Sequence, residues 1–311
     1  MKRLCNILCA LLLLGTMTSC EDWLDVDPKS EVKSDVMFQS VSGFKDALTG
    51  IYLLMSDQDL YGREATWGFV DALAQQTDVR GGEASAWYNA TRYNYSATTT
   101  SSNGIWSRSY NIIANVNFLL ENLEKKKEMF APAMYAVIKG EALGLRAFLH
   151  FDLLRLFGPV YKENPDAKSI CYRTQMNKYA TPRLPASVVV DSVLHDLLQA
   201  ESLLEKHDNE LFGADEYNEK RDAFLVLRQL RMNIWAVRAM LARVYLYKGD
   251  DASKELAYNY AKAVIEWSLI RATEYYSRNI SFHCMYMNWE NSWNWIWGCK
   301  HPIAYMHYSP R

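Results

Sequence analysis

The sequence predicts a mainly α-helical protein with long irregular loops, and two kinds of pattern indicate this fold class. In several segments apolar residues recur every three or four positions, the spacing that places side chains on one face of a helix. The first such set is Phe44, Leu48, Ile51 and Met55. In addition, a run over about 133–157 is apolar around most of its circumference and ends at Gly158-Pro159. A helix of this kind is expected to be buried on several sides.

Four more helices follow from the same spacing. They are expected over about 106–123, from about Ser187 onward, over about 230–248 and over about 252–268. Ser187 is of a residue type preferred at a helix N-cap, and a Gly-Asp pair separates the last two helices. With 311 residues, 50% of them hydrophobic, the chain can bury a substantial core in one or two domains.

The last two predicted helices have part of the pattern of a tetratricopeptide repeat, which is a hairpin of two helices. Leu241, Ala242 and Tyr245 fit its first helix, and Tyr258 and Ala261 fit its second. Two positions depart from the pattern, Arg238 and Lys254. Such a hairpin needs neighbouring elements to cover its apolar face.

The first twenty residues have the pattern of a secretory signal. Lys2 and Arg3 precede an apolar run over 7–14, and small or weakly polar residues lead to Cys20. The run is too short to cross a bilayer, since a spanning helix needs roughly 20 residues. Residues 17–20, Met-Thr-Ser-Cys, resemble a bacterial lipobox. We therefore expect a lipoprotein signal peptide over 1–19, with acyl chains on Cys20 as the membrane attachment. A conventional signal peptide with an incidental cysteine is the alternative.

The segment 20–34 is polar, contains Pro28 and is interpreted as a tether. Removing Lys2 and Arg3 from the 34 basic residues leaves 32 against 36 acidic residues, a net charge of −4. Nucleic acids and anionic surfaces are bound through clustered positive charge. This balance argues against a nucleic acid partner.

Three cysteines remain after the signal and the lipidated residue: Cys171, Cys284 and Cys299. They lack the short Cys-x-x-Cys spacing of a zinc site, and the histidines lack the close helical spacing of a metal pair. Neither a metal nor another cofactor is expected. Free buried thiols are favoured, and one Cys284–Cys299 disulfide is the alternative in an oxidising compartment.

The stretch 61–103 breaks the helical pattern and is predicted to be a long irregular segment, of the kind that is often functional. It combines aromatic side chains, which stack on the apolar faces of sugar rings, with charged groups that form paired hydrogen bonds. Eight residues make up the predicted glycan site: Trp67, Asp71, Asp78, Arg80, Trp87, Tyr88, Tyr93 and Tyr95. The alternative is that these aromatic residues only pack the loop onto the helices.

Two other sets of residues receive structural interpretations. A cluster near the end of the chain is either a carbohydrate platform or, as we favour, a surface covered by further chain: Trp289, Trp293, Trp295 and Trp297. Charged residues also interrupt the apolar helix over about 133–157: Glu141, Arg146, His150, Asp152 and Arg155. Their spacing favours partner pairs, such as Asp152 with Arg155, over acid–base chemistry.

Four stretches, in the expected order, resemble the SusD/RagB family of outer-membrane lipoproteins. They are 20–25 (CEDWLD), 44–52 (FKDALTGIY), 140–158 (GEALGLRAFLHFDLLRLFG) and 242–250 (ARVYLYKGD). The resemblance implies a SusD-like helical domain over 35–311, with tetratricopeptide-like helix pairs as the scaffold and irregular loops as the ligand site.

The resemblance also implies a location and partners. The protein would be lipid-anchored in the outer membrane, facing the exterior, and would pass captured oligosaccharides or similar nutrients to a SusC-like, TonB-dependent transporter. Glu21, Asp22 and Asp25 resemble the surface-export signal of such lipoproteins. Family members normally continue well beyond residue 311, so part of the usual ligand site and transporter contact is expected to be missing.

Two other functions stay open from the sequence. A glycoside hydrolase needs two carboxylates roughly 5–10 Å apart across a cleft, and no catalytic motif singles out such a pair, so we expect no enzyme. A tetratricopeptide-type scaffold would bind a protein segment instead of a sugar.

Overall fold

The structure of the protein is a computed structural model that describes residues 34–212, 222–225 and 228–278. Over these ranges the chain forms helices and turns without a strand, which confirms the predicted all-α fold. The helices are α1 Ser34–Met37, α2 Val41–Met55, α3 Phe69–Leu73, α4 Ala86–Thr91, α5 Thr99–Lys125, α6 Pro132–Phe157, α7 Ala186–Phe212, α8 Ile234–Lys248 and α9 Asp251–Arg278. The chain divides into two units, Met1–Gln39, of which α1 is described, and Ser40–Arg311.

Helix α2 follows the predicted periodicity. Ser40 caps its N-terminus by accepting a hydrogen bond from the Gly43 N–H at 3.2 Å. The four apolar residues that predicted the helix are all buried: Phe44, Leu48, Ile51 and Met55. They face α5 and α6, which are the helices that α2 contacts.

Helix α5 begins at Thr99, seven residues before the predicted start at Trp106. The polar run that suggested a loop is helical, and its hydroxyl groups bond to the preceding turn. Ser102 Oγ donates to the Thr98 carbonyl at 3.2 Å, and Ser107 Oγ donates to the Asn103 carbonyl at 2.7 Å. Polar side chains therefore extend the helix without adding to its apolar face.

Helix α6 is the centre of the fold and packs against α2, α5, α7 and α8. Most of its residues are buried, as its apolar circumference predicted. Gly140 marks the closest approach to α7, because a Cβ built there would come within 2.6 Å of Leu204 Cγ. The missing side chain lets the two helices pack closely at this point.

Helices α8 and α9 form the predicted hairpin. Asn233 caps α8 through the N–H groups of Trp235 and Ala236, and Gly249 ends it at φ 77°. The rings of Trp235 and Trp267 stack across the pair with centroids 4.6 Å apart. Tyr258, which fits the repeat pattern, is 66% exposed, because the buried side of α9 is formed by Ser253 and Ala257 instead.

The connection between α6 and α7 contains one isolated antiparallel bridge, between Lys168 and Pro185. Helix α7 then begins at Ala186, so Ser187 is its second residue and the predicted N-cap is wrong. The Ser187 N–H instead donates to the Pro165 carbonyl at 2.8 Å. Among the residues that the structure describes, no helix is both long and apolar enough to cross a bilayer.

Candidate functional site

The predicted glycan-binding residues lie in the segment 56–98, which connects α2 to α5. The prediction of an irregular loop is partly wrong here, because the segment is a close series of turns that includes α3, α4 and a 3-10 turn over Tyr95–Thr98. Tyr61 attaches the segment to α6 by donating to Asp152 Oδ2 at 3.1 Å. Burial and the neighbouring Asp152 carboxylate raise the pKa of Tyr61 well above its usual range, so its hydroxyl remains a donor.

A buried carboxylate organises this segment. Glu64 is 6% exposed, and its Oε1 accepts from Arg63 Nε at 2.8 Å. Its Oε2 accepts from the Trp87 indole Nε1 at 3.0 Å and from the Phe69 N–H, at the start of α3, at 3.2 Å. Glu64 therefore joins α3 to Trp87, at the start of α4. Sequence reasoning missed Glu64, because nothing in its neighbourhood in the chain indicates a partner 23 residues away.

The two tryptophans of the predicted site are in contact. Trp67 and Trp87 meet edge to face, with ring centroids 6.0 Å apart and planes at 82°. The guanidinium of Arg63 lies over the Trp87 ring, 5.9 Å from its centroid. Trp67 remains 55% exposed. The pair thus consists of a positioned indole and a second indole that is open to solvent.

A second aromatic pair follows α4. Tyr93 and Tyr95 have centroids 6.4 Å apart and are both exposed. Tyr93 has φ 54°, a left-handed conformation that costs a non-glycine residue about 1–2 kcal/mol. The Tyr93 N–H donates to the Ala90 carbonyl, and the Asn94 N–H donates to the Asn89 carbonyl, each at 3.0 Å. The turn that ends α4 therefore fixes the position of this pair.

The other four predicted site residues are less closely assembled. Tyr88 is half-buried beneath the guanidinium of Arg92, 4.6 Å from its ring centroid. Asp78 and Arg80 pair with each other at 3.4 Å, with side chains 81% and 93% exposed. Asp71 lies in the first turn of α3. In the described part of the chain, none of these four side chains makes a hydrogen bond, an ion pair or a ring contact with the two aromatic pairs.

The charged residues of α6 are bonded to partners, one of them along the helix as predicted and the others on neighbouring elements. Arg155 donates to Asp152 at 3.0 Å, which confirms that pair. Glu141 is buried and accepts from Tyr52, Arg228 and Arg231. These partners come from α2 and from the segment before α8. Asp152 and Arg155 therefore pair along the helix, whereas Glu141 bonds to neighbouring elements, and both arrangements are structural.

His150 is also structural. Its Nδ1–H donates to the Arg146 carbonyl at 2.9 Å, and its Nε2 accepts from the Arg173 N–H at 3.0 Å. Burial lowers the pKa of His150 to about 3, so the ring is neutral and both nitrogens are used. A histidine in this state has no free nitrogen for acid–base work.

The thiol of Cys171 is half-buried, free and donates to the Thr181 carbonyl at 2.9 Å. Within the described ranges, no group of three or more potential ligands could hold a metal ion. Several predictions concern residues that lie outside those ranges: Cys20, Cys284, Cys299, Trp289, Trp293, Trp295 and Trp297.

Comparisons with known proteins agree with the fold. A family model described as starch-binding and associating with the outer membrane matches residues 22–246. SusD-like protein P25 of Formosa agariphila is 25% identical over 166 residues, covering 51% of this chain and 31% of that protein.

Solved structures give the same result. A SusD homolog from Bacteroides thetaiotaomicron matches with a TM-score of 0.58 at 19% identity, over 77% of this chain and 43% of that one. A protein from Bacteroides vulgatus, described as a putative sugar binding protein, matches with a TM-score of 0.52 at 25% identity. The match covers 73% of this chain and 46% of that one. The chain therefore spans less than half the length of each of these three relatives.

The family match covers most of the chain, and the helical fold agrees with it. The chain belongs to the SusD-like family, which is described as starch-binding and associating with the outer membrane.

Proposed function

We propose that this protein is a lipid-anchored, surface-exposed binding protein that captures oligosaccharides and delivers them to a SusC-like, TonB-dependent transporter. The observation that carries the binding part of the proposal is the contact between Trp67 and Trp87, with one ring positioned by Glu64 and the other exposed. An exposed indole beside a fixed one offers a flat apolar face for the C–H surface of a sugar ring. The exposed Tyr93 and Tyr95 add further aromatic surface in the same segment.

Aromatic side chains that are already held in place favour binding, because they lose little conformational entropy when a ligand binds. Trp87 is fixed by one hydrogen bond and one cation–ring contact, and it supports Trp67 at 6.0 Å. Charged groups at Asp78 and Arg80 are exposed in the same segment and can supply hydrogen bonds to sugar hydroxyls.

A hydrolase is the weaker candidate at this site. Glycoside hydrolysis requires two carboxylates that face the scissile bond. The Glu64 carboxylate is buried and receives three protein donors, and Asp78 already pairs with Arg80 on the surface. Glu64 therefore has a structural role, and Asp78 is a surface residue in an ion pair. We propose binding without turnover.

The binding proposal is tested on the purified full-length chain with a glycan array and affinity gels that contain polysaccharide, alongside a reducing-sugar assay. We expect retarded migration in at least one gel and no release of reducing sugar. Trp67→Ala combined with Trp87→Ala should strongly reduce the retardation. Tyr258→Ala is the control, since Tyr258 is an exposed aromatic residue outside the segment, on α9. Unchanged retardation of the double variant would refute the site, and turnover would refute the binding-only function.

Anchoring and partner are tested separately in cells. We expect Cys20→Ser to release the protein from the membrane fraction. On intact cells, the wild-type chain should be cleaved by externally added protease and labelled by externally added antibody. A TonB-dependent barrel should co-purify with the wild-type chain. Co-purification of a soluble protein segment without a barrel, together with no glycan binding, would favour the tetratricopeptide-type scaffold instead.

A further inference from the structure

A second cleft lies between α7 and the extended segment that follows Cys171. Its volume is about 450 Å³, and none of its lining residues belongs to the segment 56–98. One wall is a single face of α7, since the lining residues of that helix recur every three or four positions. They are Val188, Asp191, Ser192, His195, Asp196 and Gln199.

The floor of this cleft is built from buried, mutually bonded side chains. Arg146 of α6 donates through Nε and Nη2 to the two carboxylate oxygens of Asp196, each at 2.7 Å. Tyr172 donates to the same carboxylate at 2.5 Å, and Arg146 also donates to Asn117 at 3.0 Å. All four residues are buried. Paired charge-assisted bonds of this kind fix the floor and leave it without net charge.

The rim supplies hydrogen-bonding groups that the fold does not consume. Ser192 Oγ donates to the Val188 carbonyl at 2.8 Å, so its lone pairs can accept. Gln199 Nε2 and His195 Nε2 are 2.7 Å apart. When Gln199 donates to this nitrogen, the His195 Nδ1–H and the Gln199 carbonyl oxygen are a donor and an acceptor for a ligand. Thr174 adds a hydroxyl from the opposite wall.

The charges at the cleft are already paired. Asp196 is neutralised by Arg146, and Asp191 accepts from Lys248 of α8 at 3.1 Å. A phosphate would meet these carboxylates without a free cation, and an ammonium group would compete with the guanidinium. The Tyr172 ring and the Val188 side chain provide apolar surface among the hydroxyl, amide and imidazole groups. This combination suits a neutral molecule with many hydroxyl groups.

We propose that this cleft is a second, independent binding site for a small neutral polyhydroxylated ligand of mono- or disaccharide size. Its volume lies within the range of small-molecule sites, roughly 300–1,000 Å³. The site does not depend on the tryptophan pair, because its floor and rim come from α6, α7 and the segment that follows Cys171. The protein would then bind two sugar units or chain ends at separate places.

The experiment uses the full-length chain with Trp67→Ala and Trp87→Ala, so that the tryptophan pair does not contribute. Maltose and cellobiose are the neutral probes and inorganic phosphate is the charged probe, with binding followed by saturation-transfer NMR and calorimetry. We expect saturable disaccharide binding. Adding His195→Ala and Gln199→Ala should weaken it at least about tenfold, the loss expected when two hydrogen bonds are removed. Ser192→Trp, which fills the cleft, should abolish it.

Leu198→Ala is the matched control, since Leu198 is exposed on the same helix and does not line the cleft. Circular dichroism and the melting temperature verify that each variant is folded. The proposal is overturned if the tryptophan-free chain binds neither disaccharide, if the rim variants bind as the control does, or if phosphate binds more tightly than both sugars. Binding by the wild type that is lost with the tryptophans alone would reject this second site and leave the proposed function intact.

Discussion

The Trp87 indole donates to the Glu64 carboxylate at 3.0 Å, although the two residues are 23 positions apart in the chain. The same oxygen accepts from the Phe69 N–H, so one carboxylate determines both where α3 begins and how Trp87 is oriented. Because Trp87 in turn contacts the exposed Trp67, the position of the candidate sugar-binding surface depends on a residue that is itself buried.

Replacing Glu64 should therefore affect both stability and the environment of Trp87. We expect Glu64→Ala to lower the free energy of unfolding by roughly 2–3 kcal/mol, because the half-buried Trp87 indole and the buried Phe69 N–H lose their acceptor. Tryptophan fluorescence should shift to the red and urea unfolding should report the loss. Glu83→Ala, an exposed glutamate in the same segment, should change neither. Equal behaviour of the two variants would contradict the role assigned to Glu64.

Two glycines in helices should respond in opposite ways to alanine. A Cβ at Gly140 would meet Leu204 of α7 at 2.6 Å, so Gly140→Ala should destabilise by about 1–3 kcal/mol. At Gly50 of α2 nothing lies within 4 Å of the added Cβ, so Gly50→Ala should stabilise by about 0.5–1 kcal/mol. The melting temperatures of both variants, compared with the wild type, test the two predictions. A higher melting temperature for Gly140→Ala would show that α6 and α7 do not need this close approach.

His150 makes the stability depend on pH. Its pKa is lowered to about 3 in the folded protein, whereas an exposed histidine titrates near 6.5. Below about pH 6.5 the unfolded chain therefore binds a proton that the folded chain does not, and stability falls as the pH falls. The slope from this residue approaches about 1.4 kcal/mol per pH unit.

The check is urea unfolding of the wild type and His150→Gln between pH 7 and pH 5. The variant should lose this part of the slope, and His195→Gln, at an exposed position on α7, should keep it. Parallel curves for the wild type and His150→Gln would mean that the buried ring does not remain neutral.

The ion pair between Arg146 and Asp196 should be costly to break from one side. Arg146→Ala leaves the buried carboxylate without its bidentate donor and should destabilise by about 3–5 kcal/mol. Arg146→Met with Asp196→Leu should cost less than the single change, because neither charge then remains buried. Arg155→Ala, which removes a more exposed partner of Asp152, should cost no more than about 1 kcal/mol. Chemical denaturation compares the three variants, and a double variant that is destabilised as much as Arg146→Ala would contradict this account.

Local patterns predicted most of the fold. The spacing of Phe44, Leu48, Ile51 and Met55 identified α2 because helical periodicity alone determines which face is buried. The Asp152–Arg155 pair was predictable for the same reason, since its partners lie one turn apart. The early start of α5 was missed because the first turns of the helix consist of polar residues, such as Ser102, that leave no apolar pattern.

The parts of the site that the sequence did not predict depend on distant residues. Trp67 and Trp87 were both candidates, but their contact depends on how the turns and short helices within 56–98 pack against each other. Glu64 has no local pattern that distinguishes it from a surface carboxylate, and the partners of Arg146 are 29 and 50 positions away. Such pairs follow from how the helices pack, which periodicity does not determine.

The segment 56–98 leaves the fold at the end of α2 and rejoins it at the start of α5, two helices that contact each other. Doubling the length of such a connection costs only about 0.6 kcal/mol of closure entropy. Extra residues beside the exposed Asp78 and Arg80 would therefore be tolerated, whereas Tyr61 and Glu64 must be kept, because one bonds to α6 and the other positions Trp87. The segment thus has a part that is free to vary and a part that the fold requires.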